Sequence, residues 1–297
     1  MPARAISIVI PVYNEKNAIA ETVREVLDVM GASKIRHEVI VVNDGSTDGT
    51  LEILNELCSR GFAKGRLIVA SHAFNKGYGA ALKTGIQMAR YDAVCITDAD
   101  ATYPNRRIPD LYREYEKGFD MVVGQRAFRK LPLITRPAKW FITWLANFLV
   151  GERIRDINSG FRIFRKDLAL KFFPIICDGF SFTTTITLAM MTNNYRIAYL
   201  PIEYMKREGK SKIKPIRDTL NFIQLIIRTV LYFNPLKVFL PLSIAMFAVC
   251  VVIYVIGKMG YFFEKVPTQI IIILFVSGVQ ILVTGMLADL VDKRIQK

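Results

Sequence analysis

Asp98-Ala99-Asp100 follows directly on the apolar run Ala93-Val94-Cys95-Ile96-Thr97. Two carboxylates spaced this way at the carboxyl end of a buried strand offer hard oxygen donors, suited to a divalent cation that carries phosphates. Taken alone, such a pair is equally at home in a turn or a helix cap. The neighbouring segments change that weighting. Asp44 closes a second apolar run, Val39-Ile40-Val41-Val42, and Tyr13 and Glu15 follow a third, Ile6 to Ile10. Acidic groups at the ends of three strands converge on one rim of a sheet, where Asp44 and Glu15 can accept hydrogen bonds from a ribose or base and Tyr13 can stack on it. Further on, Asn75-Lys76-Gly77-Tyr78-Gly79-Ala80-Ala81 sets small residues at a helix start, where backbone N–H groups and Lys76 could approach phosphate. A glycine-rich turn is the plainer reading of that segment.

The elements that must carry these residues alternate. Strands are expected at Ile6–Ile10, Glu38–Asn43, Leu67–Ala70, Ala93–Thr97 and Met121–Val123. Helices are expected at Asn17–Met30, Thr47–Ser59 and Gly77–Ala89, the second capped by Ser46 or Thr47 with Asp48 in its first turn. This is the pattern of a mostly parallel α/β sheet, whose ligands gather at the carboxyl ends of its strands. Beyond Gly124 the alternation breaks down and the chain turns basic and aromatic. Pro137 to Val150 reads as a helix carrying both tryptophans, Trp140 and Trp144, with core packing and a membrane interface equally good accounts. Pro215 to Tyr232 sets Ile216, Leu220, Ile223, Ile227 and Leu231 on one face, and its place before a long apolar stretch favours the interface.

That stretch bounds the location. Of 297 residues 52% are hydrophobic and 22% charged. Val238 to Gly257 and Val266 to Ala288 carry no charge, and the shorter of them spans roughly 30 Å as a helix, one hydrocarbon thickness. The short connection predicts a two-span hairpin, with the large amino-terminal part and the tail on one side. A net charge of +14 places that side in the cytoplasm. The basic excess suits anionic headgroups or a lipid phosphate better than nucleic acid, for which no zinc spacing, basic helix or RNA-binding aromatic signature exists.

The motifs Val9-Ile10-Pro11-Val12-Tyr13-Asn14-Glu15, Val42-Asn43-Asp44-Gly45-Ser46-Thr47-Asp48, Asn75-Lys76-Gly77-Tyr78-Gly79 and Asp98-Ala99-Asp100 together resemble glycosyltransferase family 2. Gly124-Gln125-Arg126, Asp156-Ile157-Asn158-Ser159-Gly160-Phe161-Arg162 and Arg207-Glu208-Gly209-Lys210-Ser211-Lys212 resemble its dolichyl-phosphate mannose synthase branch and the polyprenyl-phosphate relatives. The resemblance implies a glycosyltransferase A-type, Rossmann-like catalytic domain over 1–212, an interfacial helix over 213–234 and a transmembrane hairpin over 235–297. It implies Mg²⁺ or Mn²⁺, a nucleotide-sugar donor such as GDP-mannose or UDP-glucose, and inverting transfer of one hexose to an isoprenoid phosphate. Pro11, Tyr13, Glu15, Val42 and Asp44 would hold the nucleoside, and Lys76 would lie near the phosphates. Asp98, Ala99 and Asp100 would meet diphosphate and metal, Asp100 most directly. Arg126 and Arg136, helped by Arg207 and Lys212, would meet lipid or donor phosphates.

Where the mannose synthases carry a metal-binding glutamine, this chain has Thr102, whose hydroxyl could ligate or hold a water. Neither His37 nor His72 falls in a motif, so no histidine base is expected. None is needed, because a lipid phosphate is already anionic. Asp156 is a candidate base or a positioning partner for an arginine. Two rivals differ in class. A processive polysaccharide synthase would carry a Gln-x-x-Arg-Trp signature, which this sequence lacks, and a membrane-anchored binding module would not need Asp98, Asp100 and Arg126 together; the two-span hairpin leaves open pairing with copies of itself into a homo-oligomer.

Overall fold

The computed structural model describes residues 5–59, 66–126, 147–148, 150–179, 181–203, 215–259 and 268–295. Five strands stand where the apolar runs predict them: β1 (Ala5–Val12), β2 (Arg36–Asn43), β3 (Leu67–Ser71), β4 (Ala93–Ile96) and β5 (Met121–Arg126). Helices α1 (Ile19–Ala32), α2 (Thr50–Ser59), α3 (Tyr78–Met88) and α4 (Ile108–Tyr115) link or follow them. The central strands are unbroken apolar runs because both sheet faces are covered. Ile6, Ile8, Ile10 and Val39 meet the stripe Ile19, Val23, Val26 and Met30 of α1, while Val9, Ile40, Val42 and Ile96 face Leu82 and Ile86 of α3 on the other side.

Two more strands follow where the alternation looked broken. β6 (Arg162–Arg165) and β7 (Ile197–Ile202), with α5 (Lys166–Phe172) and α6 (Phe182–Thr192), complete a seven-stranded sheet of order β3-β2-β1-β4-β6-β5-β7. β6 alone runs against its neighbours, pairing antiparallel with β4 and β5. That reversal places its amino-terminal end, and hence residues 156–161, at the carboxyl rim of all the others. β6 escaped the pattern because it is four residues long and opens on an arginine. Arg162 is fully buried, donating to the carbonyls of Ser159 (2.8 Å from Nε), Thr183 (3.0 Å) and Ile157 (3.3 Å) and to Thr187 Oγ1 (2.7 Å). Arg162→Met would orphan these buried acceptors, and a cost of about 3 kcal/mol is expected. Thermal unfolding of the detergent-solubilised protein should show a melting point several degrees lower.

α2 starts later than expected, at Thr50, and neither Ser46 nor Thr47 caps it. Their polar groups serve the neighbouring loop instead. Ser46 Oγ accepts from the Asn14 amide at 3.0 Å, the Thr47 amide donates to Asn14 Oδ1 at 2.8 Å, and Asp48 Oδ2 accepts from the Lys16 amide at 3.2 Å. The loops after β1 and β2 are therefore tied together, with Asp48 Oδ1 left to receive the Thr50 amide at 3.1 Å.

At the carboxyl-terminal end, α7 (Pro215–Phe233) leads into α8 (Leu236–Met259) and α9 (Thr268–Ile295). The expected interfacial face of α7 is offset by a residue. Ile226, Thr229 and Val230 are buried, the two aliphatics among Val150, Ile154, Leu188 and Met191, whereas Ile223, Ile227 and Leu231 are half-buried. The described part of α7 thus packs on the domain. Most of the proposed Pro137–Val150 helix, with Trp140 and Trp144, lies outside the described residues. Helices α8 and α9 include apolar stretches, Leu236–Lys258 and Thr268–Val291, each long enough to cross a membrane. They pair antiparallel: Phe239 lies against Gly285, Phe247 against Gly278, and Cys250 Sγ reaches Ile271 O at 3.5 Å. Glycines seven residues apart share one helix face, and each admits a phenylalanine ring that a Cβ would displace.

Candidate active site

The strand register explains why the motif residues meet. β1 pairs with β2 on one side and β4 on the other, so the chain reverses its direction of winding at the β1–β4 boundary. In an open α/β sheet that switch point leaves a crevice above the carboxyl ends. Val9 opposite Ile96 brings Asp98 beside the end of β1, and the Asp44 amide donating to Val12 O at 2.8 Å seats Asp44 on the other flank. The carboxyl end of β5 supplies Arg126, and antiparallel β6 supplies residues 156–161.

Asp98 and Asp100 are half-buried, and each has an oxygen oriented by a hydroxyl. Tyr78 OH donates to Asp98 Oδ1 at 2.8 Å, and Thr102 Oγ1 donates to Asp100 Oδ1 at 2.6 Å, with the Thr102 amide at 3.2 Å. Burial, then the adjacent charge of Asp98, pushes the Tyr78 hydroxyl well above its usual range, so it stays a donor at neutral pH. Ala101 takes a left-handed φ of 55° that closes the Asp100–Thr102 turn, a conformation a non-glycine residue adopts only when its surroundings hold it there. Ala99 is buried, its carbonyl accepting from Thr22 Oγ1 of α1 at 3.1 Å. Beyond the pair, Gly160 is the close neighbour, and its amide donates to Tyr103 OH at 2.8 Å.

Among the described residues no three His, Cys, Asp or Glu side chains form a ligand cage. A cation here would rest on Asp98 and Asp100 and complete its shell with phosphate oxygens and water, a donor set that fits Mg²⁺ or Mn²⁺. Thr102, only 1% exposed, acts on that site by holding Asp100.

Asp44 is also engaged by the protein. At 2% exposure it accepts from the amides of Lys76 (2.9 Å) and Gly77 (2.8 Å) and from His72 Nδ1 (2.7 Å), whose Nε2 lies 2.9 Å from Thr84 Oγ1. His72 is therefore part of this network although it belongs to no motif. The available signal was its place one residue past β3, level with the other strand ends. The small residues of the Lys76–Ala81 segment admit protein backbone: a Cβ on Gly77 would lie 2.6 Å from Asp178 O, and one on Gly79 2.3 Å from Cys177 O. The Ala80 amide donates to Asp178 O at 2.9 Å. The Lys76, Gly77 and Ala80 amides are thus engaged within the protein. What remains for a ligand is the exposed Lys76 side chain, its ammonium 5.7 Å over the Phe74 ring.

Tyr13 is 41% exposed at the rim, and Glu15 is half-buried with its amide donating to Thr50 Oγ1 at 3.2 Å. Pro11 and Val42 are buried, and Val42 packs over Gly85, so these two can offer a nucleoside little besides backbone. Arg136, Arg207 and Lys212 lie outside the described residues.

Arg126 and Asp156 form a two-pronged pair, Nε to Oδ2 and Nη2 to Oδ1, both 2.9 Å, and the Arg126 amide adds a third bond at 3.1 Å. Burial pushes the Asp156 carboxyl up, but the hydrogen bonds and charge of Arg126 outweigh it and the net shift is downward. A carboxylate held this way is a poor base and a good clamp for a guanidinium. Since its folded pKa lies below the unfolded value of 3.8, the stability it lends is complete above that pH and is lost as pH falls through the folded value. Asp156→Asn should therefore be less stable than the wild type at pH 7, with the difference shrinking below about pH 4. Thermal melts across that range check it.

Residues 7–173, more than half of the chain, match the model for glycosyl transferase family 2. The protein belongs to that family, on a glycosyltransferase A-type fold, and residues 234–292 match the GtrB C-terminal hairpin. Among its relatives is an undecaprenyl-phosphate 4-deoxy-4-formamido-L-arabinose transferase of Pseudomonas fluorescens, 29% identical over 73% of this chain and 62% of that protein. A dolichyl-phosphate hexose transferase of Haloferax volcanii is 29% identical over 71% of this chain and 87% of its own. The glucosyl-3-phosphoglycerate synthase of Mycobacterium tuberculosis, solved with Mn²⁺, UDP and glucosyl-3-phosphoglycerate, superposes with a TM-score of 0.56 at 19% identity. It covers 77% of this chain and 79% of its own. That likeness concerns the fold.

Proposed function

We propose that this protein transfers a single hexose from a nucleotide diphosphate sugar to a polyprenyl phosphate, with its carboxyl-terminal hairpin in the membrane and its α/β domain on the cytoplasmic face. The observation that carries this reading is the meeting, on one rim, of the Asp98–Asp100 pair and the Arg126–Asp156 pair. The first suits a metal-bound diphosphate. The second presents a fixed guanidinium to an anionic acceptor. Support comes from the family, from the hairpin match, and from two relatives named for sugar transfer to isoprenoid phosphates.

Asp98 and Asp100 would hold Mg²⁺ or Mn²⁺, which when bound would supply Lewis-acid stabilisation of the charge on the departing nucleoside diphosphate. The chain's own contribution is alignment. Tyr78 and Thr102 fix the two carboxylates before substrate arrives, so little reorganisation accompanies reaction. Asp156 holds Arg126 in one rotamer, where it can steer an acceptor phosphate toward the anomeric carbon. That phosphate attacks as an anion, so no side chain need remove a proton, and displacement from the face opposite the leaving group inverts the centre. Tyr13, exposed at the end of β1, would stack on the nucleobase.

Membranes containing the protein, incubated with radiolabelled nucleotide sugars and polyprenyl phosphate, should yield an organic-extractable product that depends on divalent metal and disappears in Asp100→Ala. A broad donor panel without any such product would overturn the proposal. GDP-mannose and UDP-glucose are the first donors to test.

A further inference from the structure

A cavity of about 290 Å³ opens beside the edge strand β7, walled by Phe119, Glu152, Arg153, Arg155, Met191 and Tyr199 among others. None of Asp98, Asp100, Arg126 and Asp156 lines it. Tyr199 pairs with Val123, three residues before Arg126 on β5, which sets this part of the wall about 10 Å below the rim at the usual rise per strand residue. The cavity has its own lining and meets the candidate active site only at Arg155, the neighbour of Asp156 in the chain.

Its walls are cationic in an organised way. The Arg155 guanidinium lies 5.9 Å over the Tyr199 ring, and Arg196 lies 5.0 Å over the ring of Phe119 at the margin. Arg153 adds a third charge. Among the described residues none of these three guanidinium groups has a carboxylate partner, whereas Arg106, Arg107, Arg113, Arg126 and Arg165 are all ion-paired. Glu152 is the one carboxylate in the wall. Rings beneath two of the guanidinium groups limit their freedom and keep them aimed, which lowers the entropic cost of receiving an anion.

The surroundings say which anion. Met191 and Ile197 of the wall also belong to the cluster that holds Val150, Ile154 and, at its edge, Val238 of α8. Lys237, in the first turn of α8, donates from Nζ to Val150 O at 3.1 Å, only two residues before Glu152. The cavity therefore lies beside the residues that contact the foot of the hairpin. A phosphate held there, well below the rim, could not also reach a sugar at Asp98.

We infer that this cavity binds the headgroup phosphate of an anionic bilayer phospholipid and so seats the α/β domain on the membrane. The inference rests on the hairpin crossing a bilayer, as in the function proposed above. Native mass spectrometry of the full chain in neutral detergent, titrated with phosphatidylglycerol and with phosphatidylcholine, tests it without any donor sugar. The wild type should retain phosphatidylglycerol in preference. Arg153→Gln/Arg155→Gln should weaken that binding about thirtyfold, at about one kcal/mol per basic residue near a charged surface, and Glu152→Gln should tighten it. The opposite sign of the second variant separates lost binding from lost folding. Equal retention of phosphatidylcholine, an unchanged affinity in both variants, or displacement by polyprenyl phosphate or inorganic phosphate at comparable concentration would overturn it. A wild type inactive toward every donor would sink the transferase reading and leave this titration readable.

Discussion

Asp100→Asn is expected to slow sugar transfer by about 10³-fold, the scale on which one preorganised electrostatic group acts at a reacting centre. The substitution keeps size and shape, and the amide oxygen can still accept from Thr102, so the fold should survive with a melting point close to that of the wild type. What disappears is half of the negative charge that fixes the cation against the donor phosphates. Raising Mg²⁺ or Mn²⁺ should recover part of the rate, a dependence that a purely structural role would not show. The companion change Thr102→Val removes the hydroxyl 2.6 Å from Asp100 Oδ1, and Thr102→Ser retains it. Outer groups that orient metal ligands contribute about 10- to 100-fold, so the valine should lose activity in that range and the serine should regain most of it. Initial rates of organic-extractable product measure all three. An Asp100→Asn enzyme within tenfold of the wild type would move the metal site elsewhere.

Gly160→Ala should be nearly as damaging for a different reason. A Cβ at this position would lie 2.9 Å from both Asp98 oxygens and 3.0 Å from Tyr78 OH. Either the carboxylate turns away from the tyrosine or the loop after Asp156 lifts off the rim. A displacement approaching 1 Å at a positioned catalytic group costs on the order of 10²-fold in rate. The loss is expected in kcat, with the donor KM changed much less, since Tyr13 and the β1 end stand on the far side of the crevice. Single-turnover rates at saturating donor separate the two. Unaltered kcat would show that Asp98 tolerates a new position and so does not set the reaction geometry.

Much of this was legible in the residues. Short apolar runs, unbroken in β2, β3 and β4, interrupted by Ser7 in β1 and only three residues long in β5, located the five strands, and the polar groups after β1, β2 and β4 marked their ends as the place for chemistry. The uncharged stretches located the hairpin equally well, because crossing hydrocarbon demands length and apolarity and little else. What escaped was long-range or contrary to pattern. Arg162 looks like a surface residue until four buried acceptors are seen around it. His72 gains its role from Asp44, 28 residues earlier, a contact that no periodicity announces. The glycines near Lys76 carried a true signal of close approach, but the approaching group is the backbone at Cys177–Asp178, almost a hundred residues away. Thr102, whose hydroxyl the sequence offers as a ligand or as a holder of water, donates it to the carboxylate two positions before it, a contact the motif alone does not announce.

The lone reversed strand has a consequence for how such a protein can change over time. Because β6 enters the sheet at the same rim that β5 leaves, Arg126 and Asp156 to Phe161, which lie at the two ends of the connection between those strands, both stand above the crevice. Change in that connection ahead of Asp156 leaves the pairings of β5 and β6 as they are, whereas change at Gly160 presses directly on Asp98. Under the function proposed above, a new acceptor could thus be met by rewriting the part of this connection before Asp156, with Asp98 and Asp100 kept where they are.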